Sequence, residues 1–539
     1  MVRERRKISV ICGLLVASVV LQSHAGPEKA DSVVAKSGMV VSDHRLASQV
    51  GVEVLKSGGN AIDAAVATAF ALAVTHPSAG NIGGGGFIVY HGADGTITTF
   101  DFREKAPMAA TAKMFLNKEG KLTKTAGHVG LLSVGVPGTV AGLALAHKRL
   151  GAKPWAQLVQ PAIDLAEKGF PVSKALNNEV KRLTPSLGCY PSSAKVFLKN
   201  GAQPYEPGEI LRQPDLAATL KRIRDSGRDG FYKGRTAQLL VKMMRAHRGL
   251  ITAKDLAAYQ AVERKPIHGT YRGYDIYAMG PPSSGGVALV EMLNILEGFD
   301  LAGMGRNSPL YAHVLTEAMR RAFADRARHI GDPDFNRNIP IERLISKDHA
   351  NKMRASISLT SASQSDPTKF GDVYEGADTT HLSVVDGHRN AVSLTYTLEE
   401  SYGSKIVVEG AGFLLNNEMG DFNLVPGRTD TEGLIGTPPN QIAPQKRMLS
   451  SMTPTIVAKD GKPVLVIGSP GGRTIINTVL QVVLNVVDHK MPIADAIDAK
   501  RFHHQWLPDV SAMERGFLSP AMLRVYERFG HKTKTASSQ

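Results

Sequence analysis

Two hydrophobic periods alternate along the chain. From Ser42 onward Leu46, Val50 and Val54 recur at spacing four, which predicts a helix ending at Ser57-Gly58-Gly59. Asn60 is placed to cap a second helix, Ala61 to Thr75. That segment is alanine-rich and apolar on nearly every side, so it should be buried all round, and His76-Pro77 ends it. The period then becomes two, with strand-like runs at Phe87–Tyr90 and Thr96–Phe102. Between helix and strand lies Gly80-Asn81-Ile82-Gly83-Gly84-Gly85-Gly86. It lacks the Gly-Lys-Ser/Thr ending of a phosphate loop, and no G-x-G-x-x-G register fits it. Close backbone packing at a site wall is the better expectation. Residues 140–169 read as mainly helical, punctuated by Pro154 and Pro161. Residues 170–370 read as helices and loops without a repeat, and Pro282-Ser283-Ser284-Gly285-Gly286 introduces an apolar helix, Val287–Leu296. Residues 355–378 are polar and rich in Ser, Asp and Gly, which predicts an exposed, mobile connection suited to a chain cut.

A hairpin follows that connection: Gly376 to His381 opens an alternating segment, Leu382 to Asp386, then come a turn at Gly387-His388-Arg389-Asn390 and a second strand-like run, Ala391 to Thr397. Gly412 to Glu418 is strand-like, and 422–447 is a Gly/Pro-rich loop. A second hairpin turns at Asp460-Gly461 between Thr455–Val457 and Val464–Ile467. Gly468-Ser469-Pro470-Gly471-Gly472 then opens a helix running from near Arg473 through Val487. Glycines at a helix start leave backbone N–H groups free to point at an anion.

Composition narrows the class. A chain of 539 residues with 43% hydrophobic and 21% charged residues is globular and long enough for a large core. Arg3, Arg5, Arg6 and Lys7 precede an apolar run, Ile8 to Leu21, and then Ser23-His24-Ala25. This is the pattern of a secretory signal over 1–25, with a mature chain from near Gly26 destined for the periplasm or the exterior. About 14 apolar residues are too few for a membrane anchor. Of the two cysteines Cys12 lies in that signal, so Cys189 can form no internal disulfide. The formal charge is +15, yet the basic residues are scattered, which points to a solvated surface rather than to nucleic acid.

Asp378-Thr379-Thr380-His381 admits two readings. In one, Thr379 simply opens a β-strand, where threonine is favoured; in the other, it is a hidden N-terminus that becomes a nucleophile once the chain cuts itself. The choice comes from other motifs: Asp101-Phe102-Arg103-Glu104-Lys105-Ala106-Pro107, Thr379-Thr380-His381, Thr395-Tyr396-Thr397, Leu415-Asn416-Asn417-Glu418, Leu449-Ser450-Ser451-Met452 and Gly468-Ser469-Pro470-Gly471-Gly472. In this order and spacing the chain resembles the γ-glutamyltransferases (γ-glutamyltranspeptidases), which are N-terminal nucleophile hydrolases. The glycine run 80–86 and Pro282-Ser283-Ser284-Gly285-Gly286 match as well.

The resemblance implies an α+β fold, a four-layer αββα sandwich. It implies a proenzyme cut between Asp378 and Thr379 into a large subunit, 26–378, and a small one, 379–539, which stay associated. Thr379 would be the nucleophile both for that cut and for γ-glutamyl transfer, oriented by Thr397, with the Gly471 and Gly472 amides stabilising the oxyanion. Arg103, Ser450 and Ser451 would take the donor's α-carboxylate, and Glu418 and Asp421 its ammonium. Glu399 falls where members carry asparagine or glutamate. The implied partners are glutathione and other γ-glutamyl compounds, with water, amino acids or peptides as acceptors; no cofactor and no metal is expected. His503-His504 is expected to pack or cap. Two departures stand out. Glu432 precedes Gly433-Leu434 where many members place a tyrosine gate, and the chain reaches Ser537-Ser538-Gln539 where most members continue for further strands. The competing readings are a cephalosporin or glutaryl acylase with the same nucleophile, and an uncut binding protein for γ-glutamyl peptides.

Overall fold

The computed structural model describes residues 32–123, 127–366 and 378–536, and the side chain of Asp378 is not among them. The 1–25 segment and residues 367–377 of the expected mobile connection lie outside the described residues.

In chain order, β1 (Met39–Ser42) leads to α1 (Arg45–Lys56) and α2 (Ala61–Thr75), then to β2 (Gly85–His91) and β3 (Ile97–Asp101). The helices α3 (Thr139–Leu150) and α4 (Trp155–Lys168) follow. Further on come β4 (Val262–Arg264), β5 (Ile267–Tyr271), β6 (Tyr274–Ala278), α5 (Gly285–Leu296) and α6 (Pro309–His329). The hairpin β7 (Asp378–Val385) and β8 (Ala391–Glu399), the hairpin β9 (Thr455–Lys459) and β10 (Lys462–Ile467), and α7 (Thr474–Val487) complete the frame.

Two antiparallel sheets form the centre, one in the order β1-β7-β8-β2-β3-β4 and the other β10-β9-β6-β5. Strand alternation decides which face meets which layer. Ile88 of β2 and Val392, Leu394 and Tyr396 of β8 join Ile62, Phe70 and other residues of α2 in one core. Phe87, Val89 and Ala391, one residue out of phase, join Ile456 and Ile467 of the second sheet and Val287 and Ile476 of α5 and α7 in another. The result is the four-layer αββα sandwich. Both sheets mix elements from either side of residue 378. The β7–β8 hairpin lies between β1 and β2, and β9 pairs with β6. A cut before Thr379 would fall one residue inside β7 and separate only the Asp378–Glu399 rung, leaving the rest of these ladders in place.

The helices hold this arrangement by packing and capping. Asn60 Oδ1 accepts from the Asp63 amide at 3.0 Å while Asp63 Oδ2 accepts from the Asn60 amide at 2.9 Å, a reciprocal capping box. All fifteen residues of α2 are buried, and full burial of a side chain such as Phe70 contributes about 1.5–3 kcal/mol. Asp386, in the β7–β8 turn, accepts from the Ala61 amide at 3.0 Å and ties the hairpin to the start of α2.

Four expectations need correction. The buried stripe of α1 is Ala47, Gly51 and Val54 rather than Leu46, Val50 and Val54. A Cβ on Gly51 would lie 2.3 Å from Thr68 Oγ1, so the small residues face α2 and let the helices approach. Pro161 does not interrupt the second of the predicted helical pieces but lies inside α4. The middle of the chain is not only helix and loop, because β4, β5 and β6 lie there, and Arg272 and Gly273 turn β5 into β6 with φ of 48° and 79°. Gly412 to Glu418 is not a strand. Its groups are spent on neighbouring loops, with Asn416 Nδ2 donating to the carbonyls of Gly83 at 2.8 Å and Gly135 at 2.9 Å. Residues 356–366 are exposed or half-buried, as expected, but they are also pinned: the Ser363 amide donates to Glu317 Oε1 at 3.0 Å and that of Ser365 to Asp509 Oδ2 at 2.8 Å.

Candidate active site

Thr379 is the second residue of β7 and sits where the ladder slips. Asp378 pairs with Glu399 and Thr380 with Tyr396, so Thr397 and Leu398 both oppose Thr379. This is a β-bulge, a device that re-aims a side chain. Thr379 Oγ1 donates to Thr397 Oγ1 at 3.4 Å, and Thr397 Oγ1 also accepts from the Glu399 amide at 2.8 Å. Odd-numbered residues of β8 face the second sheet, which is why Thr397 points to the same interior as Thr379.

The glycine run forms the wall behind Thr397. A Cβ on Gly84 would lie 2.0 Å from the Thr397 carbonyl oxygen, and one on Gly86 would lie 2.4 Å from that of Thr395. Asn81 Nδ2 donates to the Thr397 carbonyl at 2.9 Å, while Asn81 Oδ1 accepts from the Gly84 amide at 2.9 Å and from Thr139 Oγ1 at 2.7 Å. Asn81 thus ties the glycine run to the Thr397 carbonyl, a contact that the motif 80–86 does not announce by itself.

Arg103 leaves the end of β3 and is buried, not part of a surface ion pair. Its amide donates to Asp101 Oδ1 at 3.0 Å, and Tyr259 Oη donates to its carbonyl at 2.8 Å. Its guanidinium pairs with Glu418 Oε2 at 2.5 Å, bonds Asp421 Oδ2, lies 3.6 Å from Glu104 Oε2 and donates to the Leu449 carbonyl at 3.1 Å. Burial works against its charge, but Glu418, Asp421 and Glu104 outweigh that cost and raise its pKa. The carboxylates exceed the cations here. Burial pushes Glu104 up to about 8, against the pull of Arg103, and raises Glu418 well above the carboxylate range. Burial also pushes Glu399 up to about 7, opposed by His128, whose Nδ1 lies 3.0 Å from Glu399 Oε1.

Ser450 Oγ accepts from the Met452 amide at 3.1 Å, and Ser451 Oγ accepts from the Arg326 guanidinium at 2.9 Å. Asn440 joins this segment to the acid-bearing turn, taking the Leu449 amide at 2.8 Å and donating to the Asp421 carbonyl at 2.7 Å. Gly472 precedes α7 with φ of 56°, and Gly471 has φ of 121°, values that favour glycine.

These pieces converge. Arg103, Thr379, Thr397, Glu399, Glu418, Asp421, Ser450, Ser451 and Gly472 line one cavity, to which Met452 and Ile475 add apolar wall. Gly471 adjoins Gly472 but does not line it. The free space within it is about 20 Å³, room for about one water. A hollow of about 530 Å³ between β1 and β10 reaches His381 and Ser383 but neither Thr379 nor Arg103, so size does not mark the site. Glu432 is exposed, its amide on Asp430 Oδ1 at 3.0 Å, and it does not line the cavity. His503 and His504 are engaged elsewhere: His503 Nδ1 meets Asn477 Nδ2 at 2.7 Å and His504 Nε2 meets Asp509 Oδ1 at 3.1 Å. Among the described residues, Glu291/Asp325/His349 and His313/Glu317/His531 have the side-chain types to ligate a metal. Neither trio lines the cavity, and in each a histidine nitrogen is already hydrogen-bonded within the trio, His349 to Asp325 at 2.8 Å and His313 to His531 at 2.7 Å.

Comparison with known proteins agrees with this geometry. Glutathione hydrolase proenzymes of Pseudomonas sp. (strain A14) and Escherichia coli (strain K12) are each 48% identical, covering 92% of this chain and 87% and 86% of their own. The solved cephalosporin acylase of Bacillus halodurans superposes with a TM-score of 0.83 at 28% identity, covering 96% of this chain and 92% of its own. The family model described as Gamma-glutamyltranspeptidase matches residues 47–539. A bulged threonine facing a second threonine, in a pocket with one buried arginine and several carboxylates, thus lies in a chain that belongs to the gamma-glutamyltranspeptidase family.

Proposed function

We propose that this protein is a self-processing γ-glutamyltranspeptidase and glutathione hydrolase. The observation that carries the reading is the cavity in which the Thr379 hydroxyl meets Thr397 beside the Arg103–Glu418–Asp421 cluster. Thr379 Oγ attacks the Asp378 carbonyl and the acyl group moves from nitrogen to oxygen. Water opens the resulting ester, leaving an Asp378 carboxylate and a free Thr379 α-amine. An N-terminal amine has a pKa near 8 and sits beside the hydroxyl it must activate, so the cut creates the base that the hydroxyl needs. In turnover Thr379 Oγ attacks the donor's γ-carbonyl, the departing amine takes the proton, and a γ-glutamyl ester remains. Water then releases glutamate, or the amine of an amino acid or peptide takes the acyl group. The Gly471 and Gly472 amides are assigned to the oxyanion.

Charge supports the donor class. The α-carboxylate takes the Arg103 fork, aided by Ser450 and Ser451, and frees Glu418 and Asp421 to meet the α-ammonium. A zwitterion therefore exchanges ion pairs without stranding a charge, and its ammonium supplies the positive charge the cluster lacks.

Export through the 1–25 signal, and lasting association of 26–378 with 379–539, are part of the same proposal; the mixed sheets support the association. Among the described residues no helix is long and apolar enough to cross a membrane.

The acylase reading is favoured by the Bacillus halodurans likeness. A glutaryl group would take Arg103 but offer nothing to the freed carboxylates. Sites built to pair a polar group reject the analogue lacking it by about 10⁴-fold. The test is kcat/KM on γ-glutamyl and glutaryl anilides: a ratio of at least about 10³ is expected, and comparable rates would establish the acylase instead.

A further inference from the structure

His128 belongs to none of the motifs above and lies in the long connection between β3 and α3, yet it is gripped from three sides. Its Nδ1 lies 3.0 Å from Glu399 Oε1 and 3.3 Å from Oε2. Asn417 Nδ2 donates to its backbone carbonyl at 3.1 Å. Its ring lies against Gly420, where a Cβ would come within 2.3 Å of Cε1. Asn417 and Gly420 flank Glu418 and Asp421, so the imidazole is wedged between the two acid-bearing segments of the cavity.

Glu399 needs such support. It ends β8 with φ of 81°, a left-handed conformation that is strained for a non-glycine residue. Its amide is committed to Thr397 Oγ1, its side chain is buried, and its carboxylate borders the cavity that holds Thr379. A buried carboxylate without a cation takes a proton, and a protonated one no longer attracts an ammonium. Further charged groups facing His128 include Glu400, at 4.0 Å and itself paired with Lys405, and Asp421. Burial lowers the basicity of His128, but its bond to Glu399 and these acids raise it overall, which favours an imidazolium beside a carboxylate.

We propose that His128 is a positioning residue of the donor's ammonium subsite: it holds the Glu399 carboxyl in place at the cavity wall, so that a γ-glutamyl donor is bound through its ammonium. This rests on the γ-glutamyl reading above. His128 itself touches Glu399, not the reacting atoms.

The test uses the processed protein with γ-glutamyl and glutaryl anilides across pH 6–9. His128→Ala should raise KM for the γ-glutamyl anilide about tenfold, the scale of one charge-assisted hydrogen bond, with kcat changed less than about threefold and the slow glutaryl reaction unaffected. His128→Gln, which can still donate to Glu399, should recover much of the affinity but lose the rise in KM that deprotonation of His128 produces in the parent at high pH. A merely structural residue would lower the melting temperature without moving KM selectively. Unchanged KM and pH profile in a folded, processed His128→Ala protein would overturn the proposal. If the parent protein itself fails on the γ-glutamyl anilide, the γ-glutamyl reading is at fault and the inference falls with it.

Discussion

Two neighbouring rungs of the β7–β8 hairpin carry similar polar side chains into the same space between the sheets and end differently. His381 lies in regular register opposite Thr395. Its ring is satisfied at both nitrogens, by Thr395 Oγ1 at 2.8 Å and Ser383 Oγ at 2.9 Å, and burial depresses its pKa to about 3, so it stays a neutral strut. Thr379, two residues earlier, falls on the bulge, and its hydroxyl makes a looser 3.4 Å contact with Thr397 beside an open wall. Regular register locks polar groups onto one another, while one slipped residue leaves a hydroxyl able to turn toward a carbonyl. The rung proposed to react is the imperfect one.

The sharpest way to break this contrast is to remove the reactive hydroxyl. Thr379→Ala should leave one uncut chain on a denaturing gel and lower turnover by at least about 10⁴-fold, whereas Thr379→Ser should still cut, more slowly. Two fragments from Thr379→Ala would refute the self-cleavage account. Next, Thr397→Ala should slow both processing and turnover by about 10²-fold, measured as first-order band conversion and as anilide hydrolysis. An effect on only one of them would show that the two reactions do not share this contact.

Local signals made the frame readable from sequence and left its closures hidden. The α2 cap, both hairpins after residue 378 and the start of α7 announce themselves through a capping residue, turn residues and a clean period, all within a few positions. The strands β5 and β6 do not, because each is only five residues long and, although Ile267 and Tyr271 are buried with His268 and Thr270 exposed between them, Gly269 stands at the centre of β5. The resemblance named the residues lining the cavity, but not that Arg103 rests on Glu418 and Asp421, which lie more than 300 positions away. Asn81 and His128 were missed for the same reason: each acts on a partner some 300 residues distant, Thr397 and Glu399, and neither sits in a spacing that periodicity can reveal. Asparagines 416 and 440 stood in or near recognised motifs, yet only the fold shows that they spend their amides on backbone.

Smaller effects test the supports of each rung. Gly84→Ala would drive a methyl group into the Thr397 carbonyl, which should cost about 1–3 kcal/mol in denaturant unfolding and slow processing through Thr397. A fully stable, normally processed variant would mean that the wall yields more readily than the contacts imply. For the regular rung the effect is a slope. The folded pKa of His381, about 3, lies below its ordinary value of 6.5, so between these values the unfolded chain binds more protons. Stability should then rise with pH through that window, by up to about 1.4 kcal/mol per pH unit from this one group. His381→Gln should flatten the melting temperature against pH between 4 and 6.5, and an unchanged slope would remove His381 from the account.

The central claim is that Thr379 becomes the N-terminus and carries the acyl group, and mass spectrometry of the protein quenched in acid during turnover tests it most directly. The account predicts a fragment beginning at Thr379 that gains the mass of one γ-glutamyl group, located to its first residue by peptide mapping and removed by mild base. An active chain still joined across Asp378–Thr379, or a γ-glutamyl group located on any other residue, would contradict it.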